Sequence, residues 1–270
     1  MRRLHLNQGR YHGEGLDVRE YLAGFDQAAR AHGWASEKFA TIEGYELRAY
    51  RRSPENPTRI IYISTGIHGD EPAGPVALRR LIEENQWPDD TDFILCPCVN
   101  PTGLAAKTRE NVQGIDLNRD YRNPQTPEVR AHVRWLESLP RFDLTLILHE
   151  DWEAEGYYVY DVNLGPGISP AIRIVEALRE LCPIQPTGRI DDSWDCVDGI
   201  IQPNVNPLER EQWAEALYLI VNKSKLSLTL EAPSDFPLLF RAEAHVRAVR
   251  RALEATNSIS RRGRREESAV

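Results

Sequence analysis

Three short strand-like runs, each closing on a residue that can bind a metal, constrain this chain more than any other feature. Ile60-Ile61-Tyr62-Ile63 leads through Gly66 to His68 and Glu71, Asp143 to Leu148 ends at His149, and Leu226 to Leu230 ends at Glu231. Short runs of β-branched, aliphatic and aromatic residues bounded by turn residues read as buried strands. Strand ends that meet on one edge of an open α/β sheet are where such folds build their sites. Imidazole nitrogen and carboxylate oxygen both suit zinc, and catalytic zinc sites typically combine three protein ligands with an open position. His-x-x-Glu alone is a weak motif. Its recurrence with two further strand ends is what carries weight.

The segments between these runs fill out an alternating pattern. Val18, Leu22, Phe25 and Ala29 recur at helical spacing across 17–32, with Asp17 as N-cap and Gly33 as stop. Thr41 to Tyr50 predicts a hairpin turning at Glu43-Gly44. Helices are predicted over Pro75–Glu84, Pro127–Leu139, Pro170–Leu181, Leu208–Asn222 and Pro237–Ala255, and further strands over Phe93–Val99 and Tyr157–Val162. Strands alternating with helices predict a single α/β domain whose sheet is covered on both faces. The domain is read as residues 1–255, with a disordered Arg- and Ser-bearing tail over 256–270. Two stretches, Asn100–Tyr121 and Thr187–Pro207, show no periodicity. A long irregular segment inside a compact domain is usually functional, and the first holds Arg109 and the run Asp116-Leu117-Asn118-Arg119.

Length and charge narrow the function. The 270 residues suit one large α/β domain. A net charge of −8 argues against nucleic-acid binding, which needs a basic face. No apolar stretch approaches the ~20 residues of a membrane span. The basic start, Met1-Arg2-Arg3, is followed by no apolar segment, so a secretory signal is not expected and a cytoplasmic location is. Cys96, Cys98, Cys182 and Cys196 include no Cys-x-x-Cys pair and are read as reduced and buried.

His68-x-x-Glu71, the Asn100-Pro101-x-Gly103 turn, Arg109, Asp116-Leu117-Asn118-Arg119, His149 and Glu231 occur in the order found in zinc carboxypeptidases of the carboxypeptidase A type. The resemblance runs over about residues 58–245 and is nearest to the short bacterial branch that includes murein peptide amidases. The succinylglutamate desuccinylase and aspartoacylase group shares the same core. The resemblance implies a zinc carboxypeptidase-like fold, with a mixed, mostly parallel sheet. It implies one zinc ion on His68, Glu71 and His149, Glu231 as general base, Arg109 steadying the substrate carbonyl, and Asn118 with Arg119 holding a substrate carboxylate. The family's substrate-covering tyrosine has no match. Tyr218 lies in an apolar helical run and is not assigned.

The chemistry is self-consistent. Amide hydrolysis needs an activated water, a polarised carbonyl and charge stabilisation, which zinc, a carboxylate and an arginine supply. A second arginine beside an amide makes a planar cradle for a carboxylate. The expected substrate is a small peptide or an acyl amino acid with a free carboxylate. Three functions compete: a metallocarboxypeptidase or peptide amidase, an N-acyl amino acid deacylase, and a non-catalytic zinc-binding protein. Deacylases of this type carry a further β domain after the glutamate, which favours the peptidase. Glu150, Asp151, Glu153 and Glu155 read either as a solvated acidic loop or as a wall favouring a cationic substrate end. His5, His12, His32, His132 and His245 are assigned no role. No oligomeric state follows from the sequence.

Overall fold

The strands whose ends carry the metal-binding residue types lie side by side. They are β3 (Arg59–Thr65), β5 (Leu144–Asp151) and β10 (Leu226–Pro233), joined in parallel, and β4 (Thr91–Cys96) adds to β3, also parallel. This parallel centre is extended on one side by the hairpin β1 (Ala35–Ile42) and β2 (Tyr45–Arg52). On the other side β6 (Tyr158–Asn163) pairs antiparallel with β10 and is followed by the short β9 (Ile200–Ile201), β8 (Trp194–Val197) and β7 (Gly188–Ile190). The sheet order is β1-β2-β4-β3-β5-β10-β6-β9-β8-β7. The computed structural model describes residues 3–7, 11, 13–190, 193–203 and 206–267, the side chains of Leu208 and of residues 257–267 excepted. His12 lies outside these residues.

Helices cover both faces, as the alternation of elements predicts. Ile61 and Ile63 of β3 point to a cluster closed by α1 (Val18–Ala31), α2 (Ala73–Glu84), α5 (Ala171–Leu178) and α7 (Leu238–Glu267). Tyr62 points the other way, to a cluster closed by α4 (Pro127–Ser138) and α6 (Glu215–Asn222). Successive strand residues face opposite sides, so a parallel strand buried on both faces is apolar throughout rather than alternating. Local signals set the ends. Asp17 accepts from the Glu20 amide at 3.0 Å and caps α1. Glu43 and Gly44 both have positive φ, 46° and 77°, as a two-residue hairpin turn with matching twist requires.

Four boundaries differ from the sequence reading. Pro101–Ala106 forms a short helix, α3, inside the stretch read as irregular, and Leu117–Arg119 forms a 3-10 turn. The stretch 187–207 holds β7, β8 and β9. α6 begins at Glu215 rather than Leu208, preceded by a 3-10 turn over Pro207–Glu209. The backbone of α7 stays helical to Glu267, past Ala255. The expected tail therefore falls on residues whose side chains lie largely outside the described part. Among the described residues no helix is long and apolar enough to cross a membrane. All four cysteines are buried and unpaired.

Candidate active site

The loop after β3 is shaped by its neighbour after β4. Gly66, at φ +68°, turns the chain, and its carbonyl accepts from the amides of Val99 and Asn100 at 3.2 and 2.8 Å. The Asn100 side chain serves both segments: Oδ1 caps α3 through the Gly103 amide at 2.8 Å, and Nδ2 donates to the Ile67 carbonyl at 3.1 Å, one residue before His68. The two backbones touch where Gly69 meets Gly103. A Cβ at Gly69 would lie 1.8 Å from the Gly103 carbonyl carbon, which is backbone and cannot swing away. Gly69→Ala is therefore expected to push the His68 loop off Gly103 and to destabilise the protein by about 1–3 kcal/mol, the usual cost of overpacking. Thermal unfolding with metal analysis checks this; an unchanged Tm and metal content would refute the contact.

His68, Glu71 and His149 converge, all three buried, with ligand-type atoms within 4.8 Å of one another. Glu71 stands between the rings: Oε1 is 2.6 Å from His68 Nδ1 and Oε2 is 2.7 Å from His149 Nδ1. Two imidazoles and a carboxylate on one buried point form a donor set that suits zinc. Burial alone would raise the Glu71 carboxyl, but the two imidazoles hold it well below the usual carboxylate range. His68 is offset in the opposite sense. Burial would lower its pKa, and Glu71 with Asp116 raises it. Asp116 Oδ1 lies 3.1 Å from His68 Nε2, which fixes the ring and leaves Nδ1 for the centre.

Glu231 is beside this group by sheet register, paired with His149 across the β5–β10 ladder. It is 9% exposed. Burial pushes its carboxyl up to about 8, His149 opposes the rise, and the Glu71 and Asp151 carboxylates add to it. Arg109 Nε donates to Asp116 Oδ2 at 3.0 Å, and its Nη1 lies 3.7 Å from Glu71 Oε1. Asn118 Oδ1 accepts from the Glu215 amide at 2.9 Å, the first residue of α6. A backbone N–H can only donate, so this bond fixes the amide orientation and leaves the Asn118 NH2 group as donor. Arg119 is exposed and lies in the same cleft. The cleft has a volume of about 810 Å³ and takes in all seven of these residues. Its far wall is built by alternate residues of β6, Tyr158, Tyr160 and Val162, with Trp194 and Ile220.

The acidic run after His149 needs correction. Glu150 is no part of a solvated loop: it borders the cleft, but its side chain is fully buried against Arg241. Asp151 and Glu153 do line the cleft, Asp151 accepting from the Tyr158 hydroxyl at 2.9 Å, while Glu155 is exposed and outside it. Tyr218 is buried in α6 beside the Tyr121 ring, and the cleft tyrosines come from β6. Two further supports are residues to which the sequence reading assigns no role. His245 Nε2 lies 3.0 Å from the His149 carbonyl, and Asp116 backs His68.

Known proteins resemble this chain in sequence and in fold. The Succinylglutamate desuccinylase/Aspartoacylase catalytic domain family matches residues 57–159, which include His68, Glu71, Arg109, Asn118, Arg119 and His149. Carboxypeptidase SOL1 of Arabidopsis thaliana is 32% identical over 104 residues, covering 31% of this chain and 21% of that protein, so the match spans about a fifth of its length. A Shewanella amazonensis protein assigned provisionally to the metallopeptidases superposes with a TM-score of 0.77 at 22% identity, over 88% of this chain and 93% of that one. A Burkholderia cenocepacia metallo-carboxypeptidase gives 0.70 at 16% identity, over 90% and 70%. A Pseudomonas aeruginosa metallo-carboxypeptidase in complex with (2-guanidinoethylmercapto)succinic acid gives 0.66 at 20%, over 89% and 69%. The chain has the metallocarboxypeptidase-like fold over most of its length, and its sequence matches the desuccinylase/aspartoacylase catalytic domain over 57–159.

Proposed function

We propose that this protein is a zinc-dependent hydrolase that cuts an amide bond next to a free carboxylate, as a metallocarboxypeptidase or peptide amidase. The observation that carries the reading is one cleft that joins a buried His-Glu-His donor set, an in-register carboxylate and an oriented amide–guanidinium pair. The donor set fits one zinc ion, held by His68, Glu71 and His149. Zinc bound there supplies Lewis acidity toward a carbonyl and a water. Glu231 takes the proton of the attacking water and passes it to the leaving amine. Arg109 faces the reacting carbonyl and stabilises the charge that develops on its oxygen. Asn118 and Arg119 hold the substrate carboxylate, the amide through its NH2 group and the guanidinium through paired N–H bonds. The succinic acid derivative bound by the Pseudomonas aeruginosa protein carries carboxylates, in keeping with such a cradle.

A deacylase reading draws on the family match over 57–159. The cleft favours the peptidase: 810 Å³ lies toward the upper end of the roughly 300–1,000 Å³ of drug-sized ligand sites, more than a small acyl amino acid fills. Zinc analysis, with hydrolysis of a peptide panel against N-acyl amino acids, separates the two readings and a non-catalytic zinc protein. The cradle makes a sharper prediction. A charged hydrogen bond contributes about 1.5–3 kcal/mol, so amidating the substrate carboxylate is expected to lower kcat/KM at least tenfold, at ~1.4 kcal/mol per decade. Arg119→Lys should shrink the preference for the free acid. Equal cleavage of acid and amide by the wild-type protein would remove Arg119 from substrate binding and favour an endopeptidase.

A further inference from the structure

Arg241 is 0% exposed and is the largest fully buried side chain among the described residues. A buried guanidinium is tolerated only when its donors are used, and a well-packed apolar residue would often be as stable. Its partners show what it holds. Nε donates to the Phe236 carbonyl at 2.7 Å, Nη1 to the Glu150 carboxylate, and Nη2 to the Tyr11 hydroxyl at 2.8 Å and the Glu14 carboxylate at 2.9 Å. The guanidinium also lies over the Tyr11 ring, 5.3 Å from its centre.

Glu150 is the other half of the device. It directly follows His149, and its amide donates to Glu71 Oε2 at 3.1 Å. Its Oε1 accepts from the Ala73 amide at 2.5 Å, at the start of the helix that follows Glu71. Its Oε2 accepts from the Ser234 hydroxyl at 3.4 Å, just beyond Glu231 on the same strand end. One carboxylate, on the residue after His149, thus ties together Ala73, two positions past Glu71, and Ser234, three past Glu231. One arginine neutralises that carboxylate, and the same arginine is tied to Tyr11 and Glu14.

We infer that Arg241, acting through Glu150 and tied to the N-terminal residues Tyr11 and Glu14, is a positioning residue that sets the mutual placement of Glu71, His149 and Glu231. The inference rests on the reading of His68, Glu71 and His149 as a metal centre. The site then depends on a segment over 200 residues upstream of Glu231 in the chain, since Arg241 and Glu14 are 227 positions apart.

The test uses the full-length protein. Arg241→Met with Glu150→Gln removes the pair without stranding a buried charge. Tyr11→Phe with Glu14→Gln removes only the N-terminal tie. Zinc affinity is read by chelator competition, geometry by the visible spectrum of the cobalt-substituted protein, and ring placement by imidazole 1H–15N spectra of the metal-free protein. The first double variant is expected to bind zinc about tenfold or more weakly, as loss of support behind metal ligands typically causes. Its cobalt and imidazole spectra should shift, and the second variant should move in the same direction by less. A folded first variant with zinc affinity within about twofold of wild type, far inside the usual effect, and unshifted imidazole signals overturns the inference. If the first variant does not fold, unchanged affinity and spectra in the second overturn it. A wild-type protein that binds no zinc refutes the metal centre instead, and the imidazole spectra still decide the placement.

Discussion

Glu231→Gln is expected to keep the fold and the zinc yet to lower kcat by ~10²-fold or more, the usual loss when a general base is removed. The substitution is nearly isosteric, and Glu231 is not among the three converging ligands. What disappears is the ability to accept a proton beside His149. The check is kcat and KM on a cleaved substrate, with zinc content measured on the same preparation. A variant with full zinc and near-normal kcat would take Glu231 out of the mechanism. One that loses zinc would make Glu231 part of the metal centre.

Acid should unfold this protein through a residue outside the cleft. His132 on α4 is fully buried, with Nε2 2.9 Å from the Tyr62 hydroxyl and Nδ1 2.7 Å from the Tyr121 hydroxyl. Burial pushes its pKa down to about 3. An unfolded histidine titrates near ~6.5. Above that value both states are neutral and the group is silent. As the pH falls below it, the unfolded chain takes up a proton that the folded protein refuses, so stability is lost steadily down to the folded pKa. At pH 4.5 the penalty is about 2–3 kcal/mol, from ~1.4 kcal/mol per unit. That is about a hundredfold in the folding equilibrium. His132→Asn keeps the capacity for hydrogen bonding without the titration. Denaturant unfolding at pH 7 and 4.5 should show wild type losing more stability than the variant by about that amount. Equal losses would mean that His132 is protonated in the folded protein.

The parts of the fold legible in the sequence are those where one local pattern meets one environment. β3, β5 and β10 are buried on both faces, their runs rich in Ile and Leu although β10 alternates Leu with Ser227 and Thr229, and their ends are marked by His68, His149 and Glu231. The helix α1 is marked by its periodicity and its Asp17 cap. α3 has six residues, too short for any periodicity, and depends on the Asn100 cap that also steadies the His68 loop. β7 to β9 are two to four residues long with mixed exposure, and their pairing partners lie in one another rather than in a local signal. Side-chain pairing across the chain was hidden in the same way. Nothing near Glu150 distinguishes it from Asp151, Glu153 and Glu155, because the arginine that buries it is 91 positions away. Asp116 supports His68 from 48 positions downstream, and the run Asp116-Leu117-Asn118-Arg119 does not reveal which of its three polar residues turns toward His68.

The pairing of Glu231 with His149 across β5 and β10 has a consequence for how the site divides. Neighbouring strands are held about 4.8 Å apart by their backbone ladder, so the spacing between these two residues is a dimension of the sheet itself. Arg109, Asn118 and Arg119 stand instead in the segment between α3 and α4, outside the strands and held by hydrogen bonds such as that from the Glu215 amide to Asn118. The cleft therefore joins residues spaced by the sheet to residues spaced by a loop. Redrawing that loop would leave the first spacing intact.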